Sequence, residues 1–431
     1  MLRVAFYTLG CKVNQYESNA TAQAFRERGD CIVPYGERAD VVIINTCAVT
    51  EESERKGRQI VRRSRKQYPD AVLAVMGCLS QKNGRSGLEE ADIVIGSDGK
   101  QTLPSLVDAF LAGRNPVERV GRIRDCHVYE NAFSGHGERT RATVKIEDGC
   151  NNFCTYCISP YLRGPVRSRP KEDALAESRR LAADGYREIG LTGIHLDSYG
   201  KDLEKTSLAD LLEEIEKIDG VERVRLGSLE PVFMSEANVQ RLASCEKLCP
   251  QFHLSLQSGC ARTLKAMNRH YTPQEFSESV AFIRRYIPQA ALTTDVIVGF
   301  PGETEEDFLE SLSFVKKTAF SKVHVFPYSS RPGTRAAEFP DPVAPDIRKR
   351  RTAEMLAVAE EAEASFLRSL IGKTESVLFE RGKNGIYSGH CRNYAEVRVA
   401  SRTDLTNRIL PVLVDGAEKT YCTGRIRPDG K

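Results

Sequence analysis

Six of the thirteen cysteines in this 431-residue chain are spaced to do chemistry. Three form one run, Cys150-Asn-Asn-Phe-Cys154-Thr-Tyr-Cys157, a C-x3-C-x2-C spacing. Thiolates at this spacing in one loop can converge on one corner of an iron–sulfur cube. Only three ligands are offered, so one iron is left open, as in a catalytic rather than a closed structural centre. A zinc site or three buried cysteines is the alternative reading. Zinc usually takes a fourth protein ligand, and no nearby His or Cys sits at finger-like spacing. Three further cysteines are far apart, but each directly follows a strand-like run: Leu9-Gly10-Cys11, Asn45-Thr46-Cys47 and Met76-Gly77-Cys78. In a parallel α/β sheet the carboxyl ends of the strands share one edge, where ligands bind. Cys11, Cys47 and Cys78 are therefore expected to converge. Cys31, Cys126, Cys245, Cys249, Cys260, Cys391 and Cys422 share no position and read as ordinary residues; Cys245 and Cys249, four apart, could share a helix face but read as small buried residues.

The elements that must position these cysteines are legible in the periodicity. Strand-like runs at residues 3–9, 41–45, 72–76 and 92–95 alternate with helix-like runs at about 14–29, 51–67 and 101–112. That alternation predicts an α/β domain with a parallel, Rossmann-like sheet over residues 1–115. Residues 116–141 are polar, lack a clear period and read as a linker. A second series has strands at 142–146, 188–191, 223–228, 252–256, 293–298 and 322–326, with helices at 171–184, 207–218, 273–287 and 304–317. Six strand–helix units predict a partial (β/α)6 barrel, short of the eight units of a closed one. A proline-rich break at 339–345 precedes a long helix at about 346–371, which closes this domain at 142–371. Short alternating runs at 374–379, 396–400 and 409–414 predict a small β-barrel over 372–431.

Composition excludes other classes. Hydrophobic residues make up 41% and charged residues 28%, so the chain is globular rather than disordered. A large chain with an odd cysteine count and no secretion-type leader is not a disulfide scaffold. No apolar run reaches membrane-spanning length, so no membrane partner and a cytoplasmic location are expected. The net charge of +3 neither requires nor excludes nucleic acid.

The C-x3-C-x2-C run with Tyr156 before its last cysteine resembles the radical S-adenosylmethionine (SAM) superfamily. Three further stretches, Gly10-Cys11-Lys12-Val13-Asn14-Gln15-Tyr16-Glu17, Asn45–Thr50 and Gly77–Gln81, resemble the amino-terminal domain of the methylthiotransferases. Matches continue through His253–Gly259, Met267–Tyr271 and Phe326–Gly333, and the tail resembles the RNA-associated TRAM module. The resemblance implies two 4Fe–4S clusters, one on Cys150, Cys154 and Cys157 and one on Cys11, Cys47 and Cys78. The first would cleave SAM to a radical that abstracts hydrogen from carbon. The second would hold or supply sulfur, with a second SAM giving the methyl group. Other SAM contacts implied at strand ends are Tyr156, Thr192, Gly193, Asp295 and Gly299. Glu230 and Gln257 also follow strands and read equally as ligands or as turn and cap residues.

Within the family, Lys12-Val13-Asn14 resembles the bacterial branch acting on N6-threonylcarbamoyladenosine beside the tRNA anticodon. The alternatives are branches acting on isopentenyl-adenosine, with Gln-Met-Asn there, or on a ribosomal-protein aspartate, with Pro-Lys-Asn. A low-potential electron donor and a sulfur donor are implied partners. Arg55, Arg58, Arg62 and Arg65 fall on one helical stripe that fits RNA phosphates or a solvated face. Arg163, Arg167 and Arg169 follow the cysteine loop and are expected near the mouth of the site. A non-catalytic two-cluster electron carrier is the rival class, although such a carrier closes each cluster with four cysteines.

Overall fold

A computed structural model describes residues 1–135 and 140–427. Residues 136–139 of the expected linker and 428–431 of the expected tail lie outside the described residues. The amino-terminal sheet has six parallel strands in the order Cys31–Val33, Arg3–Thr8, Val41–Thr46, Val72–Gly77, Ile93–Ile95 and Val117–Arg119. Val41–Thr46 and Val72–Gly77 are buried at every residue, which is why they read as unbroken apolar runs. Val41 and Ile43 pack with Phe25, Leu103 and Val107 of helices Lys12–Glu27 and Leu103–Gly113. Val42 and Ile44 face the other way, onto Ile60, Val61 and Leu79 of helices Glu51–Gln67 and Cys78–Asn83. Val117–Arg119, expected within the linker, is the sheet's edge strand.

The chain enters this sheet at Arg3–Thr8, goes first to one side and then to the other. The resulting switch point lies between Arg3–Thr8 and Val41–Thr46. Their carboxyl ends diverge there and leave a crevice, the usual ligand position in such sheets. Cys11 and Cys47 follow these two strands.

The second series forms six parallel strand positions in chain order: Ala142–Lys145, Glu188–Thr192, Arg223–Leu226 continued by Ser228–Leu229, Gln251–Leu254, Ala291–Val298 and Lys322–Pro327. The third position, expected as one strand, is split at Gly227. Arg223–Leu226 pairs back to Glu188–Thr192, and Ser228–Leu229 pairs forward to Gln251–Leu254. One strand thereby hands the curved wall from one sheet to the next. Helices cover the outer face over a single large core. The inner face carries polar residues at alternate positions, among them Gln251, His253 and Thr293.

Helix Pro345–Arg368 packs on strand Lys322–Pro327 and leads into the tail. The tail is a closed five-stranded barrel in the order Thr374–Lys383, Ile386–Cys391, Glu396–Ala400, Cys422–Ile426 and Ile409–Ala417. Arg223 and Arg225, near the start of their strand, donate to the carbonyls of Ser376, Arg392 and Cys391 at 2.7, 3.1 and 3.3 Å. The small barrel therefore covers the end of the partial barrel opposite the cysteine loop. Among the described residues, no helix is long and apolar enough to cross a membrane.

Candidate functional site

Cys11 caps helix Lys12–Glu27, Cys47 follows its strand directly, and Cys78 begins helix Cys78–Asn83. Gly10 (φ +111°) lets two of these loops touch. A Cβ there would stand 3.0 Å from the Cys47 Cβ. Burial pushes the Cys47 thiol up to about 11, and the neighbouring Cys78 and Cys11 add to that rise. The three sequence-distant cysteines thus share one site. Loading iron would take their protons away.

Arg163 lies against this site. Its Nε donates to Cys78 Sγ at 3.3 Å, and its Nη1 pairs with Glu17 at 2.5 Å. Around it, four buried cations, Lys100, Lys145, Arg163 and Arg167, share two carboxylates, Glu17 and Asp148. Burial would raise Glu17, but Arg163, Lys100 and Lys145 outweigh it and hold the carboxyl well below its usual range. The group carries a surplus of two positive charges over its two carboxylates. They stand beside three thiols, which become anionic when they bind metal.

The second set lies in the loop after strand Glu147–Asp148. Phe153 (φ +47°) and Asn268 (φ +56°) are both left-handed. Asn268 Nδ2 donates to the carbonyls of Asn152 and Phe153 at 3.0 and 3.2 Å, and Thr155 N donates to Met267 O at 3.0 Å. The loop is therefore held from the segment Met267–Asn268. Burial pushes the Cys150 thiol up to about 12. Arg269 donates to Cys154 Sγ at 3.3 Å and pairs with Glu230 at 2.8 Å. Each cysteine set thus has one buried guanidinium hydrogen-bonded to a sulfur, a contact that tunes and steadies a cluster.

The donor sets discriminate between one ion and a cluster. A zinc at about 2.3 Å from each sulfur would bring the sulfurs within about 4 Å of one another. Among the described residues, the triplets with donor atoms within 4.8 Å of one another are His253–Asp295–His324 and His195–Asp197–Glu230, and neither cysteine set is among them. In neither set do all three sulfurs lie within 4.8 Å of one another, which is wider than a single zinc would hold them.

Of the expected SAM contacts, Thr192 lies at a strand end, Gly193, Glu230, Gln257 and Gly299 just beyond one, Tyr156 within the cysteine loop, and Asp295 inside strand Ala291–Val298. Tyr156 packs beside the core of Met267, Phe300 and Tyr328. Thr192 ends its strand, and a Cβ at Gly193 would stand 2.5 Å from Glu147 Oε2. Glu230 accepts from Asn152 Nδ2 at 2.8 Å, so it braces the cysteine loop. Gln257 is left-handed (φ +66°), gripped by Asp295 O and Ile297 N of the next strand. Asp295 lies 3.3 Å from His253 Nε2, and Gly299 (φ +76°) donates to Glu303 at 3.1 Å.

The arginines divide. Arg163, Arg167 and Arg169 are 1%, 3% and 0% exposed, so they are not the phosphate contacts expected at the mouth. Arg163 serves the first cysteine set. Arg167 donates to the carbonyls of Arg163 and Pro165, each at 2.9 Å. Arg169 pairs with buried Glu177. Arg65 is drawn inward by Asp92 and the carbonyls of Ala71 and Glu90. Half-buried Arg58 pairs with buried Glu54, and Arg55 and Arg62 keep to the accessible face beside Glu52 and Glu90. Surface pairs of this kind are weak and exchange readily. Sequence reasoning missed Arg163, Arg269 and Arg331 as positioning residues. Arg331 reaches from the barrel to Glu54 and to Ala48 O, beside Cys47. Arg269 and Arg331 lie within family-like stretches, but a buried arginine carries no local signature.

The Radical SAM superfamily matches residues 144–315, and the Uncharacterized protein family UPF0004 matches residues 3–96. The threonylcarbamoyladenosine tRNA methylthiotransferase MtaB of Bacillus subtilis is 37% identical, covering 99% of this chain and 96% of that protein. The tRNA-2-methylthio-N(6)-dimethylallyladenosine synthase of Pelotomaculum thermopropionicum is 36% identical over 98% and 97%. The protein of that name from Clostridium botulinum (strain Loch Maree) is 39% identical over 97% and 95%. The radical SAM methyltransferase TsrM of Kitasatospora setae shares the fold with a TM-score of 0.60 over 90% of this chain and 80% of its own, at 14% identity. Two cysteine triplets spaced for clusters, on folds joined in this order, agree with two 4Fe–4S clusters and SAM as the cofactors, and the chain belongs to the radical SAM methylthiotransferase family.

Proposed function

We propose that this enzyme places a methylthio group on C2 of N6-threonylcarbamoyladenosine at position 37 of tRNA, beside the anticodon. The observation that carries this reading is the joining of the two cysteine sets. Helix Ser159–Arg163 begins two residues after Cys157, and its last residue bonds Cys78. The near full-length match to the Bacillus relative, whose name states this substrate, supports the same reading. When bound, the clusters and SAM would supply hydrogen abstraction, sulfur and a methyl group.

The chain's own residues hold and shield these groups. Cys150, Cys154 and Cys157 would take one cluster, and Cys11, Cys47 and Cys78 the other. Tyr156, Thr192, Gly193, Glu230, Gln257, Asp295 and Gly299 would seat SAM. Arg269 and Arg163 steady the sulfurs, and the three packed modules exclude water. Arg55, Arg58 and Arg62 are the arginines open to tRNA phosphates. A low-potential electron donor and a sulfur donor complete the partner set.

Mass spectrometry of tRNA nucleosides from cells lacking the protein tests the reading. The 2-methylthio derivative of N6-threonylcarbamoyladenosine should disappear. Its persistence, with no second enzyme making it, overturns the substrate. Relatives named for dimethylallyladenosine are as similar in identity, and loss of that product instead would favour them.

A further inference from the structure

A cavity of about 420 Å³ lies where the three modules meet. The amino-terminal domain contributes Lys12, and the wall of the partial barrel contributes Arg225, His253 and His324. The small barrel contributes His390 and Tyr394. Sites enclosed by several modules are where substrates usually bind.

Its charges are not balanced. Arg225 pairs with Glu188 at 2.9 Å, and His390 lies 2.7 Å from Glu380. Lys322, also on the wall, pairs with Glu363 at 2.9 Å. Lys12 has no ion-pair or hydrogen-bond partner among the described residues. Arg141 and Arg225 both stack on the Tyr394 ring, at 5.1 and 4.6 Å, and both are ion-paired, Arg141 with Glu380 at 3.2 Å, which leaves Lys12 as the cation without a partner among the described residues. An unpaired ammonium in a partly enclosed space favours an anion and disfavours an apolar group.

Lys12 directly follows Cys11, so the backbone between them joins the first cysteine set to the cavity wall. On adenine, C2 and the N6 substituent both flank N1. A base that presents C2 to that sulfur site points its N6 side chain into the neighbouring space. We propose that the cavity receives the N6 side chain of the substrate base and that Lys12 ion-pairs its carboxylate. This rests on the substrate proposed above, whose threonyl carboxylate is the anion of the modified base. The neutral dimethylallyl group would leave Lys12 unpaired.

The test uses the reconstituted enzyme under anaerobic conditions. Two substrates are compared: tRNA bearing threonylcarbamoyladenosine, and the same tRNA with the threonyl carboxylate capped as a neutral methylamide. Wild type should show KM about tenfold to hundredfold higher for the capped tRNA. Lys12→Met should raise KM for the native tRNA by a similar factor and leave the capped tRNA unchanged, with iron content and kcat retained. Lys12→Arg should restore most of the difference. Equal KM of wild type for both tRNAs, or a Lys12→Met shift that is the same for both, overturns the inference. If Lys12→Met loses iron, the wild-type comparison alone decides. Absence of product from native tRNA with wild type removes the proposed substrate itself, a separable outcome.

Discussion

Replacing Arg163 by glutamine separates the structural and the cluster-supporting roles of the buried charges. Arg163 contacts Glu17, Asp148 and Cys78. Orphaning a buried charge typically costs about 3–5 kcal/mol. Glu17 is not orphaned, because Lys100 and Lys145 remain at 3.2 Å each. The substitution also removes one of the two surplus positive charges of the buried cluster. Iron-free Arg163→Gln should therefore lose only about 1.5–3 kcal/mol, the worth of a charged hydrogen bond. That is roughly a 10- to 150-fold fall in the folding constant, read as a lowered urea midpoint at unchanged slope. The loaded site should suffer more, because the surplus positive charge and the N–H to Cys78 are lost together. Loss of such a supporting contact lowers metal affinity about 10- to 100-fold. Iron retention under chelator challenge, in a background with Cys150, Cys154 and Cys157 all changed to alanine, isolates the amino-terminal site. Retention equal to that background refutes the reasoning, as does a loss above 4 kcal/mol in the iron-free protein.

The remaining predictions are smaller. Cys154→Ala should abolish SAM cleavage, whereas Cys47→Ala should leave uncoupled deoxyadenosine release without thiolated nucleoside, both read by chromatography; full product from Cys47→Ala would remove the amino-terminal set from the reaction. Gln257→Gly should change thermal stability by no more than about 1 kcal/mol, because relief of the left-handed strain offsets the added chain entropy, while equilibrium SAM binding weakens. Glu17 and Asp148 have folded pKa values below their ordinary ones, so their contribution is present above about 4.5 and is lost as pH falls towards 2. Unfolding free energies of the iron-free protein from urea titration should drop across that window by up to about 1.4 kcal/mol per pH unit per group, and Glu17→Gln should flatten the slope.

Much of this protein is written locally. The strands Val41–Thr46 and Val72–Gly77 and the helices Glu51–Gln67 and Lys171–Ala183 follow the periodicity because burial on two faces, or on one stripe, dictates residue type directly. The cysteine loop at 150–157 is equally local. Even the convergence of Cys11, Cys47 and Cys78 follows from topology, since strand ends in a parallel sheet share an edge. Strands Ile386–Cys391 and Cys422–Ile426 were not legible: Ile386-Tyr-Ser-Gly-His-Cys391 lacks a clean alternation, and closure of the barrel, not propensity, makes it a strand. The arginines were the least legible. Arg55 and Arg163 are the same residue type, yet one lies on the surface and the other is buried against a thiol. Sequence determined which side chains could ligate a cluster. Tertiary structure decided which charges were enclosed beside them, because desolvation depends on neighbours brought in from distant segments rather than on adjacent residues.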